Sequence, residues 1–252
     1  MRTRDDLPYV PPGELRFSEW DELARQHLTA TPVHEPDYHY FARLGPDDLF
    51  ADIGANIGNS IHSLSLVNPA LRIVAFEPNP GLWPLLERVI AAVPNAVDLR
   101  RVGLSNRQGD FDFFIPVVGA VHIVGEASVD LDHFDEPVVS SRLRSYSADG
   151  TFSLVRTSVA LTPFDAFDLA PTHVKIDVEG HEIAVLDGMQ ETITRRRPVF
   201  MIEDDHTKRL EEFFAPLGYS ARLYAPDTGR LVPKTWDALN VFFVPDEKFV
   251  QA

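Results

Sequence analysis

The sequence predicts an α/β protein built on an open, mostly parallel sheet with helices on both faces. Three observations predict it. Short apolar runs of five or six residues alternate with segments whose apolar residues recur at helical spacing. The first of these runs closes in an acid followed by a glycine-rich turn, as a strand does when it feeds a helix beside a ligand. The last two strand-like runs are joined by a connection with turn residues and no helical period, which permits an antiparallel pair, whereas a parallel crossover needs a helix.

Residues 1–46 read as a cap, with Pro-rich ends around residues 18–28, where Trp20, Leu23, Ala24 and His27 recur at helical spacing under a Ser18 N-cap. LFADI at 49–53 suits a buried parallel strand, and 59–67 follows as a helix through Ile61, Leu64, Ser65 and Val67. Residues 72–77 read as a second strand, 82–93 as a second helix and 97–102 as a third strand. The rhythm then breaks. Residues 110–115 alternate at period two and 121–129 do so loosely, predicting a hairpin beside the main sheet. Residues 130–153, rich in Asp, Ser and Arg, read as a mobile surface loop of the kind that serves as a lid. The alternation resumes with a strand at 173–180, a helix through about 194, a strand at 198–203 and a helix at 207–217. Strands at 219–224 and 240–244 close the chain around a loop holding Pro226, Asp227, Gly229 and Pro233. The expected organisation is the cap 1–46 and one sheet domain, 47–252, with an inserted hairpin and loop at about 111–160.

Among 252 residues, 23 Lys and Arg face 38 Asp and Glu, a net charge of −15. Such a field repels a polyanion, so the expected partner is a small molecule and not nucleic acid. The absence of Cys removes disulfides, thiolate metal sites and cysteine nucleophiles. No run of 18 apolar residues occurs, so no membrane span is expected. Asp5, Asp6 and nearby prolines stand where a signal peptide needs an apolar stretch, and the expected location is the cytoplasm.

The stretch DIGANIGN at 52–59 lies where the first strand meets the first helix. Gly54 and Gly58 tolerate positive φ and close approach, and free amides at a helix start attract an anionic group. Glu77, ending the second strand, is placed to accept hydrogen bonds from both hydroxyls of a ribose. A dinucleotide loop wants G-x-G-x-x-G, but Asn56 stands between Gly54 and Gly58, and there is no Gly-Lys-Ser/Thr of a P-loop. What remains is a nucleoside cofactor with a terminal amino-acid carboxylate, a description that S-adenosylmethionine fits.

FADIGANIGNS (50–60), VAFEPNP (74–80), GLSNRQG (103–109), HVKIDVEGHEIAVLDGM (173–189), RPVFMIE (197–203) and NVFFVP (240–245) resemble the FkbM family of class I, S-adenosylmethionine-dependent methyltransferases. The resemblance spans roughly 48–245 and implies a Rossmann-like, seven-stranded sheet whose last strand is antiparallel. It implies that Asp52, Gly54, Asn56 and Gly58 line the methionine part, that Glu77 holds the ribose and that Leu104 and Ser105 flank the adenine. Asp177 would sit under the methyl group. The cap and residues 111–160 match nothing in the family pattern and are where acceptor selectivity is expected.

A hydroxyl acceptor must lose a proton, so a base is needed. Asp177, Glu179, His181 and Glu182 cluster after the fourth strand, and Glu203, Asp204, Asp205 and His206 after the fifth. Asp177, Glu179 and His206 are the catalytic candidates, His206 because imidazole titrates near neutrality. Glu182 reads equally as a helix-dipole partner and Asp204 or Asp205 as an N-cap. Asp177, Asp204 and Asp205 could offer oxygen ligands to a divalent cation, but a metal is not favoured. His34, Tyr38, His39 and Tyr40 either contact the acceptor or pack over the sheet, and Arg195, Arg196 and Arg197 complement a helix C-terminus. The resemblance implies O-methylation of a sugar or polyketide-like metabolite as the expected activity, with nitrogen and carboxylate acceptors left open. An NAD-dependent oxidoreductase and a silent binding module are the rivals, and a homodimer is left open.

Overall fold

The computed structural model describes residues 3–16, 33–203 and 208–249. The expected helix at 18–28 lies outside them. The main sheet contains β1 (Leu49–Ile53), β2 (Arg72–Phe76) and β3 (Val97–Arg100), then, after an insertion, further strands that we number onward. The insertion carries β4 (Gly103–Leu104), β5 (Gly109–Val118), β6 (Val121–His122) and β7 (Ser153–Thr162). The main sheet resumes with β8 (His173–Ile176), β9 (Val199–Glu203), β10 (Tyr219–Ala225), β11 (Arg230–Pro233) and β12 (Asn240–Pro245). Its order is β11-β10-β12-β9-β8-β1-β2-β3. The strands from β3 to β9 are parallel, and β12 is antiparallel to both β9 and β10, as the family resemblance implies. An eighth strand departs from the expected seven: β11, within the supposed turn-rich loop, pairs antiparallel to β10 at the sheet edge.

Strand alternation sorts the core onto the two faces. Phe50, Ile73, Ala75, Val199, Met201 and Phe242 pack with Ile61 and Leu64 of α1 (Asn59–Val67), and with Leu86 and Val89 of α2 (Trp83–Ala92). Their neighbours one residue on, such as Ala51, Val74, Phe76, Phe200 and Phe243, face the opposite side, where the helices after β8 and β9 lie. The helix expected through about 194 divides at Gly188 into α4 (Glu182–Asp187) and α5 (Gln190–Arg196), numbered after the insertion's α3 (Pro137–Ser145). The helix expected at 207–217 is α6 (Arg209–Phe214) with a 3-10 turn at Ala215–Leu217.

Two expectations about the insertion need correction. β5 does turn into β6, but it pairs chiefly with β7, from Gly109 opposite Leu161 to Val117 opposite Ser153. With β4 these strands make a second sheet, ordered β4-β7-β5-β6. Residues 130–153, read as a loop, contain a 3-10 turn at Asp132–Asp135 and α3, which bury Phe134, Val139 and Leu143 against Phe114 and Leu154. Few large apolar residues were needed because this satellite core is small. The cap's Pro36–Arg43 forms 3-10 turns that lay Tyr38, Tyr40 and Phe41 on the α1 face of the main sheet. Among the described residues no helix is long and apolar enough to cross a membrane.

Candidate active site

The chain runs outward from β1 to β3 and then crosses back to β8, so strand order reverses between β1 and β8. Ligand crevices form at the carboxyl ends beside such a reversal. Two clefts open there. One is lined by Glu77, Asn79, Leu82, Leu104, Phe113 and Leu161 among others. The second reaches from Asn59 and Ser60 to Tyr38, Glu126, Glu203 and Asn240. Gly54, Asn56, Gly125 and Asp177 border both.

Gly54 takes φ +83°, and a Cβ there would stand 1.8 Å from the carbonyl oxygen of Asp177, so the β1 and β8 loops meet only because this residue has no side chain. Gly58, at φ +95°, answers a different demand. A Cβ would meet Val89 Cγ1 at 3.0 Å, so it serves the packing of α1 on α2, and it borders neither cleft.

Glu77 is buried at the end of β2, and each carboxylate oxygen accepts one backbone N–H at 2.8 Å, from Asn56 and from Asn79. Burial nonetheless pushes its pKa up to about 7, against the lowering effect of those two bonds. A carboxylate has about four acceptor positions, so capacity remains toward the cleft. Leu104 lines that cleft. Ser105 does not; it lies behind, its hydroxyl 2.9 Å from His181 Nε2. His181 borders the cleft, and burial holds its pKa below the usual value.

Beneath the loop lies an ion cluster that sequence reasoning missed. Parallel register puts Lys175 of β8 beside Asp52 of β1, and alternation puts Lys175 and Asp177 on one face. Lys175 Nζ donates to Asp177 Oδ2 at 2.9 Å and to Gly54 O at 3.4 Å, and it stands 3.9 Å from Asp52 Oδ1. Asp52 is fully buried, accepts a hydrogen bond from Ser60 and borders neither cleft, so it underpins the loop from below. Burial raises its pKa, with Lys175 and Ser60 opposing. Burial also lowers that of Lys175, but Asp177, Tyr38 and Asp52 more than offset it and hold the ammonium charged. For Asp177, burial works upward, yet the Lys175 ammonium holds the carboxyl below the usual range. The signal available in the sequence was a lysine inside an otherwise apolar strand, HVKI.

Glu203, at the end of β9, faces Asp177, and burial, then the Asp177 and Glu179 charges, push its pKa up to about 9. Glu179 adopts φ +51°, a left-handed conformation that is costly outside glycine. Its carboxylate turns to the insertion, 3.2 Å from His133 Nε2 and 4.0 Å from Arg142. Its carbonyl accepts the Ser128 hydroxyl at 2.6 Å. Asn56 and Asn79 donate their side-chain amides to Gly125 O and Val124 O, both at 2.9 Å. The insertion is therefore tied down over both clefts. Glu182 accepts the Gly180 N–H in the first turn of α4, the structural role considered for it. Asp204, Asp205 and His206 lie outside the described residues, so neither the His206 base nor the oxygen ligands proposed there are placed.

The fold and its paired clefts define a Rossmann-like sheet protein with a crevice at the strand reversal. The model of the Methyltransferase FkbM domain matches residues 52–229, and the chain belongs to that family. It is 30% identical over 143 residues to the hexuronic acid methyltransferase AglP of Haloferax volcanii, covering 57% of this chain and 50% of that protein. The chain thus spans about half the length of this curated relative. Among solved structures it is similar to methyltransferase FkbM of Methylobacillus flagellatus, with 17% identity, TM-score 0.47, and coverage of 89% of this chain and 59% of that one. It is also similar to a SAM-dependent O-methyltransferase of Thermotoga maritima, with 11% identity, TM-score 0.39, and coverage of 92% and 66%.

Proposed function

We propose that this chain takes a methyl group from S-adenosylmethionine and delivers it to a hydroxyl of a small polyhydroxylated molecule, sugar-like in class. The observation that carries the reading is that two clefts meet at Gly54, Asn56 and Asp177, one suited to a nucleoside and the other to an acceptor. The residues fit the cofactor: Glu77 has capacity left for the ribose hydroxyls, Leu82, Leu104 and Phe113 offer an apolar slot for adenine, and the first amides of α1, at Asn59 and Ser60, have no intrahelical partner and suit a carboxylate. When bound, the cofactor supplies an electrophilic methyl group on a sulfonium. The name of the Haloferax volcanii relative supports a sugar-like acceptor.

The chain's own residues do the rest by position. Asp177, kept ionised by Lys175, accepts the hydrogen bond of the acceptor hydroxyl, orients the oxygen and takes its proton. Glu203, pushed toward its protonated form, faces Asp177 and steadies it. The insertion excludes water from above. Holding the reactants in line can contribute about 7–11 kcal/mol. Glu179 is drawn toward His133 and Arg142, which leaves Asp177 the better-placed carboxylate of the expected pair. A nicotinamide coenzyme is disfavoured because Asn56 occupies the position where a dinucleotide loop needs glycine, and its amide is already given to Glu77.

Titration calorimetry with S-adenosylhomocysteine tests the cofactor half, with low-micromolar binding expected; none at tens of micromolar sinks the reading. Methyl transfer to any polyol then separates an enzyme from a silent binding module.

A further inference from the structure

The acceptor cleft has a one-sided hydrogen-bonding inventory. From the described residues it receives the carboxyl groups of Glu35, Glu126, Asp177 and Glu203. The basic groups that border it are already engaged. Lys175 is held by Asp177 and Asp52, and His34 faces Glu35 at 3.4 Å. Arg142, next to the cleft, reaches Glu126 at 2.5 Å, and the Asn240 side chain donates to Glu35 at 2.5 Å. Among the described residues the basic side chains of this wall are committed to protein carboxylates, while oxygen acceptors remain, Asn59 Oδ1 among them without a partner.

Tyr38 adds an independent sign of a ligand. Its side chain is 1% exposed and borders the cleft, close enough to Lys175 and Asp177 to feel both charges, yet among the described residues nothing hydrogen-bonds its hydroxyl. A hydroxyl at the cleft wall can both donate and accept, so a ligand oxygen in the cleft can hydrogen-bond it.

Resting on the methyltransferase reading above, we propose that this cleft takes a donor-rich polyol, uncharged or bearing an amine, that it turns away a carboxylate-bearing sugar, and that the Tyr38 hydroxyl is one of its binding groups. A uronate brings an acceptor-only anion up to Asp177 and to acids that already hold the neighbouring cations, so it finds like charge and no uncommitted basic side chain among the described residues. A neutral sugar offers hydroxyl donors to those same oxygens, and an amino sugar adds a favourable charge.

The test uses the full chain and three matched acceptors: methyl glucoside, methyl glucosaminide and methyl glucuronide. The first two are expected to be methylated, and the glucuronide to show kcat/KM at least tenfold lower, a gap that Glu126→Gln narrows. Tyr38→Phe is expected to raise KM for the neutral glycoside at least fivefold, with S-adenosylhomocysteine affinity unchanged and Tm unchanged or higher, since no internal bond is lost. A glucuronide used as well as the glucoside, or an unaltered KM in Tyr38→Phe, overturns the proposal. Tight S-adenosylhomocysteine binding with none of the three glycosides bound or methylated also overturns it while leaving the methyltransferase reading intact. Absent cofactor binding removes both.

Discussion

Replacing Lys175 by Met removes the cation held between the buried carboxylate of Asp52 and the half-buried one of Asp177. Asp52 is fully buried with Oδ1 3.9 Å from Nζ, and Asp177 Oδ2 lies 2.9 Å from Nζ. Methionine keeps the stem's volume, so the loss is electrostatic. Breaking one side of a buried pair costs about 3–5 kcal/mol because a charge is left uncompensated. For a chain of this size each kcal/mol shifts Tm by roughly 2–4 °C, so a drop of roughly 10 °C is expected at pH 7. The sign with pH follows from protonation. In the wild type, Asp177 has a lowered folded-state pKa, so its contribution is present above the unfolded value and is lost as pH falls through the folded one. In the variant, both acids lose Lys175, their pKa values rise, and protonating them relieves the cost. The Tm gap between the two proteins should therefore shrink from pH 7 toward pH 5. Calorimetric melts at both values check this. A gap under about 2 °C at pH 7, or one that widens on acidification, refutes the buried ion cluster.

Glu77→Ala should weaken S-adenosylhomocysteine binding by roughly 2–3 kcal/mol, the range for hydrogen bonds to a charged partner, as read by calorimetry; unchanged affinity would put the ribose elsewhere. Gly54→Ala forces a Cβ to 1.8 Å from a carbonyl oxygen at φ +83°, so loss of cofactor binding together with a lowered Tm is expected. A variant that binds and melts like the wild type contradicts the close approach of the two loops. Glu203, raised to about 9, lends stability that is complete below its unfolded pKa and is lost as pH rises through the folded one. Glu203→Gln mimics the protonated acid and cannot ionise in the unfolded chain, so it should melt like the wild type near pH 4 and above it at pH 7, with the gap widening toward pH 9; parallel Tm curves from pH 5 to 9 would show that Glu203 is ionised throughout.

The segments that sequence made legible were those whose local pattern reports burial directly. β1 and α1 have their expected bounds, because a short apolar run closed by Asp52 and a glycine turn leaves one way to join strand to helix. The alternation of β5 was visible, but its principal partner β7 was not. Period two announces a buried face without naming the strand opposite, and that strand lies some forty residues on. The fragment at 130–153 was misread because its polar surface residues outnumber the few, Phe134, Val139 and Leu143, that α3 and its preceding turn bury. In the site, Gly54, Glu77 and Asp177 stood out by motif and position. Asp52, Gly58 and Ser105 share the motif, yet they hold the cleft's walls from behind.

By itself the sequence determined the alternating strands and helices of the main sheet's parallel part, the glycine turn and the placement of acids at strand ends, since each depends on neighbours within a few positions. Only the tertiary structure decided that Lys175 stands between Asp52 and Asp177, that Glu203 is pushed toward its protonated form, and that Tyr38 and the insertion wall the second cleft. Those outcomes depend on cross-strand register and on how far each charge is withdrawn from water, and both are set by residues far apart along the chain.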